Sequence, residues 1–147
     1  LVALENADKN IDLILCDTFS GVVNASNEDS FFKGDEYSDA NIRNVKKLES
    51  QTNKKFTIIE GNFPNSMSNI ILDKPISFAH IDVDTYISAK ESFDYINANA
   101  LRGAVIVLDD YGGWFTDGVT KLGNELKLNN DLFVVPNHLG QLIIYKL

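Results

Sequence analysis

The stretch ISFAHIDVDTYISAKESFDYINANALRGAVIVLDDYGG, residues 76–113, decides the fold. It opens on an apolar run, ISFAHIDV (76–83), and reaches a second, AVIVLDD (104–110). Between them, residues 88–100 read as a helix with Ala89, Phe93 and Ile96 facing inward, ended by Arg102-Gly103. Two continuous apolar strands joined by a helix predict a parallel pair covered on both faces. A right-handed crossover then sets both strand C-termini on one edge. Asp82 and Asp84 end the first strand and Asp109-Asp110 the second. Asp82 and Asp109 should therefore sit side by side.

Working outward, the same alternation continues. IDLILC (11–16) and FTIIE (56–60) read as strands. Ser38 or Asp39 is expected to cap a helix running to Gln51, with Ile42, Val45 and Leu48 on one face. Residues 64–70 hold one or two helical turns, and Asp117 is expected to cap a helix to about Leu128. LFVVP (132–136) and QLIIYK (141–146), linked through Asn137 and Gly140, predict an antiparallel hairpin. The expected architecture is α/β and Rossmann-like: a mostly parallel sheet, helices on both faces, and an antiparallel C-terminal hairpin. Polar residues fall at the strand ends, where open α/β sheets bind ligands. Asp17 ends the first strand and Asn62 follows the second.

The 147 residues fit one domain, 1–147, and 44% hydrophobic residues suffice for a sizeable core. A net charge of -8 argues against nucleic-acid or anionic-membrane surfaces, which need basic patches. No apolar run approaches the roughly 20 residues of a membrane span, and the first residues lack a signal-peptide pattern. A single cysteine, Cys16, excludes an internal disulfide framework and a cysteine-rich zinc site. A cytoplasmic protein is the expectation.

Four acidic side chains lie in AHIDVDTY and VLDDYGG. Any one of them could cap a helix. Crowded together they repel unless protons or a cation neutralise them. Oxygen ligands without Cys or clustered His favour Mg²⁺, Mn²⁺ or Ca²⁺ over Zn²⁺. Gly112-Gly113 would let backbone approach a ligand closely, or simply make a turn.

HIDVDTY followed by AVIVLDDYGG resembles the macrocin O-methyltransferase family, which acts on sugar hydroxyls. CDTFSG (16–21), GDEYSDA (34–40), EGNFPNS (60–66) and, loosely, LGQLIIYK resemble further ordered segments of that family. Arg102-Gly103 stands where the family has a glycine pair, and Ala40 where it has Thr. The resemblance implies a class I, S-adenosylmethionine-dependent O-methyltransferase assisted by Mg²⁺ or another hard divalent cation. Its acceptor would be a hydroxyl on a sugar or glycosylated metabolite. By the same resemblance Asp82, Asp109 and Asp110 match metal ligands, and Asp84 matches a catalytic general base. Asp17 and Phe19 match the segment that binds the cofactor ribose, Asn62 and Phe63 the segment near the adenine, and Ser38 and Asp39 the same pocket.

An alcohol is a poor nucleophile at neutral pH. A cation lowers its pKa and a nearby carboxylate takes its proton. In that family a strand and a Gly-rich cofactor loop precede the strand at 11–16, whereas LVALENADKN reads as the tail of the helix after such a loop. The chain is therefore expected to be the C-terminal portion of a larger domain, with first strand and Gly-rich loop missing. The strand edge left behind would favour a homo-oligomer. Two other classes stay open: a non-catalytic binding or assembly module, such as an inactive truncated fragment, and a different Mg²⁺-dependent enzyme, such as a phosphoryl-transfer domain. The latter usually brings a phosphate-cradling loop or conspicuous Lys, absent from the right place here.

His80 shares a strand face with Asp82 and reads as a hydrogen-bonded core histidine ahead of a base. His138 reads as a loop residue without a role ahead of one lining the acceptor site, and Cys16 as inert core. Trp114 and Phe115 are expected as acceptor or lid contacts, or as anchors on the next helix. Phe31, Phe32 and Tyr37 are expected to pack over the cofactor or against a second subunit.

Overall fold

A computed structural model describes residues 12–51 and 56–147. In chain order its elements are β1 (Ile14–Asp17), α1 (Ile42–Gln51), β2 (Thr57–Glu60), a 3-10 turn (Asn65–Met67), β3 (Ile76–Ile81), α2 (Tyr86–Asn99), β4 (Ala100–Leu108), α3 (Asp117–Leu126), β5 (Leu132–Pro136) and β6 (Leu142–Lys146). The reading of LVALENADKN as a helix tail lies outside the described residues.

The fold is α/β. β1 and β2 form a parallel pair with Asp17 opposite Glu60. The other four strands form a mixed sheet in the order β3-β4-β6-β5. β3 and β4 run parallel, with Ile81 opposite Leu108, because α2 carries the chain back between them. β5 and β6 form the expected antiparallel hairpin, and β6 also runs antiparallel to β4. Asn137 closes the hairpin: its backbone N–H donates to Gln141 O, and its Oδ1 accepts from Leu139 N and Gln141 N.

β4 alternates. Ala104, Ile106 and Leu108 are buried, whereas Val105 and Val107 are half-buried. The buried row meets α2 and α3 through Phe93, Ile96, Val119 and Leu122, and Leu142 and Ile144 extend it on β6. Burying each such side chain is worth about 1.5–3 kcal/mol. On the opposite face, register aligns Phe78, Val105, Tyr145 and Phe133 across all four strands. Phe78 there is 62% exposed, so among the described residues this face is the more open one.

Several boundaries differ from expectation. The N-cap of α1 is Asn41, whose Oδ1 accepts from Arg43 N (2.9 Å); Ser38 and Asp39 lie before the helix, exposed. Ile42 and Val45 are half-buried, and the Leu48 side chain lies outside the described ones. α2 starts at Tyr86 rather than 88, and residues 100–103 belong to β4 rather than to a helix end. Pairing of Ala100 with Ile76 outweighs the Arg102-Gly103 stop signal, at the cost of a register irregularity. Thr116, not Asp117, occupies the N-cap of α3. No helix among the described residues is long and apolar enough to cross a membrane.

Candidate functional site

The parallel register carries Asp82 and Asp109 to adjacent strand ends, and Asp109 N donates to Ile81 O (2.9 Å), one step beyond the ladder. Both chains then turn sharply. Asp84 and Asp110 adopt left-handed backbone, with φ of 63° and 62°. Such conformations cost a residue with a Cβ about 1–3 kcal/mol, and Asp tolerates them better than most. The turns bring Asp82, Asp84 and Asp110 together, each offering a carboxylate oxygen within 4.8 Å of the others.

The electrostatics follow from that crowding. Burial, then the charges of Asp110 and Asp82, push the Asp84 carboxyl up to about 6. Burial and the charge of Asp109 also raise Asp82, with a further push from Asp17. Asp110 is raised by burial and by Asp82. Asp109 behaves differently. Burial works against its charge, but hydrogen bonds from Gln141, Asp110 N and His80 hold it below the ordinary carboxyl range. His80 Nε2 lies 2.8 Å from its Oδ2, Gln141 Nε2 donates to the same oxygen at 3.1 Å, and Asp110 N donates to Oδ1 at 3.0 Å. Three carboxylates with raised pKa values at one strand edge can share protons or hold a hard cation. The oxygens of Asp109 are engaged by protein donors.

The other expected site residues lie at or just after the ends of β1 and β2, or in the turn before α1. Asp17 ends β1, and its Oδ1 accepts from Phe19 N (2.7 Å), whose backbone is left-handed. Its charge adds to the upward push on Asp82. Asn62 and Phe63 follow β2; Phe63 packs edge-on against Tyr95 with ring centres 5.1 Å apart. Ser38 and Asp39 are exposed on the turn before α1. His80 is exposed, not core, because its partner Asp109 sits at the open strand end. Cys16 is half-buried, and burial pushes its thiol up to about 11, so it stays protonated.

The segment from Gly21 to Tyr37 is more ordered than its polar sequence suggests, and Asp29 is the reason. Asp29 is 3% exposed and accepts from Ser26 N, Ser26 Oγ and Tyr86 N. The last bond caps α2 from a remote loop, with the carboxylate at the positive end of the helix. Gly118, at the start of α3, is packed against Asp29 so closely that an added Cβ would overlap Asp29 Oδ1. Ser30 N donates to Asp117 Oδ1, and Thr85 Oγ1 and Ser88 Oγ donate to Val23 O. Sequence reasoning missed Asp29, Gln141 and Thr85. The Ser26-Asp29 spacing was the visible signal for the first, since such pairs close local turns. Nothing local points to the other two.

No family model matches the sequence. No curated protein matches it either. The fold is similar to that of calicheamicin methyltransferase CalS11, with a TM-score of 0.70 at 16% identity, covering 91% of this chain and 60% of that one. It is also similar to the O-methyltransferase NovP, with a TM-score of 0.59 at 14% identity, covering 99% and 62%. A protein from Corynebacterium glutamicum matches with a TM-score of 0.55 at 16% identity, covering 71% and 55%. At these identities the likeness is one of fold. The chain spans about three-fifths of the length of the two methyltransferase structures.

Proposed function

We propose that this chain forms part of an S-adenosylmethionine-dependent O-methyltransferase that acts on a hydroxyl of a sugar or glycosylated metabolite. The observation that carries the reading is the convergence of Asp82, Asp84 and Asp110 at the C-terminal ends of adjacent parallel strands. That convergence occurs in a fold shared with a calicheamicin methyltransferase and the O-methyltransferase NovP.

The donor set fits Mg²⁺ or another hard divalent cation: all oxygen, carboxylates with raised pKa, and no thiol among them. Asp82 and Asp110 would hold it. When bound, the cation supplies positive charge that lowers the pKa of an acceptor hydroxyl. Asp84, beside those two carboxylates, would take the hydroxyl proton as general base. Asp109, matched to a ligand by the family resemblance, acts instead as a positioning residue: its oxygens answer to His80, Gln141 and Asp110 N. Asp17 would accept the ribose hydroxyls of the cofactor, with Phe19, Asn62 and Phe63 beside it and Ser38 and Asp39 at the rim. The acidic edge suits the positive sulfonium.

Calorimetric titration of Mg²⁺ tests the donor set. We expect one saturable site, lost in Asp82→Asn and Asp110→Asn and weakened less in Asp109→Asn. Absence of Mg²⁺ binding in the parent chain would remove this mechanism and favour a non-catalytic binding module.

A further inference from the structure

Two loops far apart in sequence carry one row of aromatic rings. Phe32 is its buried root. Phe31 stands edge-on to Phe32 at 5.3 Å between ring centres, Phe31 meets Phe115 at 4.7 Å, and Phe115 meets Trp114 at 3.5 Å. Tyr37 flanks Phe32 on the other side at 6.3 Å. Phe31 is 52% exposed and Trp114 82%, with Phe115 half-buried between them.

One end is fastened to the carboxylate cluster. Trp114 and Phe115 ride on a turn closed onto Asp110 O by Gly113 N (3.2 Å) and Thr116 Oγ1 (2.7 Å). Asp29 ties the intervening loop to the starts of α2 and α3, so the rings are held in place before any ligand arrives. Nearby cations are engaged: Lys33 Nζ donates to Ser30 O (2.9 Å) and Lys121 pairs with Glu28 (2.7 Å). The surface thus offers electron-rich ring faces and carboxylate acceptors. Anions are repelled. A neutral ring with an apolar C–H face and many hydroxyl donors is matched on both counts.

We infer that the row Phe31–Phe115–Trp114 is the acceptor platform, stacking the apolar face of a hexopyranose ring while the adjoining carboxylates accept its hydroxyls. The inference rests on the proposed methyl transfer only for what is done to the sugar.

Trp114 is the sole tryptophan, so its emission reads this platform alone. Titration with methyl α-L-rhamnopyranoside, methyl α-D-mannopyranoside and methyl β-D-glucopyranoside should give a saturable emission change with at least one of them. Phe31→Ala, an exposed position, should weaken that binding about three- to tenfold with unchanged circular dichroism. Emission unmoved by all three glycosides overturns the assignment. So does a change produced only by tetramethylammonium, which would mark a cation site, or only by raising protein concentration, which would mark a contact between copies. S-adenosylhomocysteine is titrated separately. Glycoside binding without it leaves the platform standing and removes methyl transfer; the reverse outcome removes the platform alone.

Discussion

Asp84 combines a left-handed backbone with a carboxyl pushed up to about 6 by burial and two neighbouring charges. Its ordinary value is 3.8, so in the metal-free chain the folded state binds more protons than the unfolded state between those two values. Stability from this group is therefore greatest in acid, falls as pH rises through that window, and is flat above about pH 7. Asp84→Asn removes the dependence. Thermal unfolding of the metal-free chain at pH 4.5 and 7.0 should show the variant gaining Tm over the parent as pH rises. Equal gains at both pH values would contradict the crowding. Asp109 has the opposite sign, since hydrogen bonds lower its pKa, and that contrast separates a positioning carboxylate from those in the cluster.

At the scale of elements, one carboxylate organises two helices. Asp29 caps α2 through Tyr86 N, and its other neighbour is the backbone of α3 at Gly118. Asp29→Ala would leave the Tyr86 N–H without its carboxylate, at about 1–2 kcal/mol for the cap alone. Gly118→Ala cannot be accommodated without moving Asp29, so it should loosen the 21–37 loop as well. Hydrogen exchange checks both variants: faster exchange is expected at Ser26, Ser30 and Tyr86, while β4 and β6 stay protected. Loss of protection throughout the sheet would mean that the loop is part of the core rather than an addition to it. Ile106, fully buried at the centre of β4, marks the contrast; Ile106→Ala should cost about 2–5 kcal/mol in denaturant unfolding.

For the whole molecule, the reading from sequence succeeded where information is local or periodic. Asp82 and Asp109 were legible as neighbours because strand, helix and strand of ordinary length must return the chain to the adjacent position. The hairpin was legible from Asn137 and Gly140. What escaped depends on tertiary pairing. Residues 100–103 look like a helix stop, yet Ala100 joins the sheet because Ile76 is there to pair with it. His80 looks like core on an apolar strand, yet it lies at an open strand end where Asp109 waits. Asp29 looks like one more acid in a polar loop; its partner Tyr86 is 57 residues away. The cluster members were all visible, but which three converge was decided by the left-handed turns at Asp84 and Asp110.

A chain that binds a cation only when folded is stabilised by it. Millimolar Mg²⁺ should therefore raise Tm at pH 7.5 and do so less at pH 5, where the raised carboxyls hold protons that compete with the metal. A shift of equal size in Asp82→Asn would place the effect elsewhere. The central claim, a methyltransferase cofactor site at this strand edge, meets its most direct test in calorimetric titration of S-adenosylhomocysteine into the chain in the presence of Mg²⁺, repeated on Asp17→Ala. The account predicts saturable binding in the parent and at least about tenfold weaker binding in the variant, the loss of a charge-assisted pair of hydrogen bonds. No binding in the parent, or equal binding in Asp17→Ala, would contradict it.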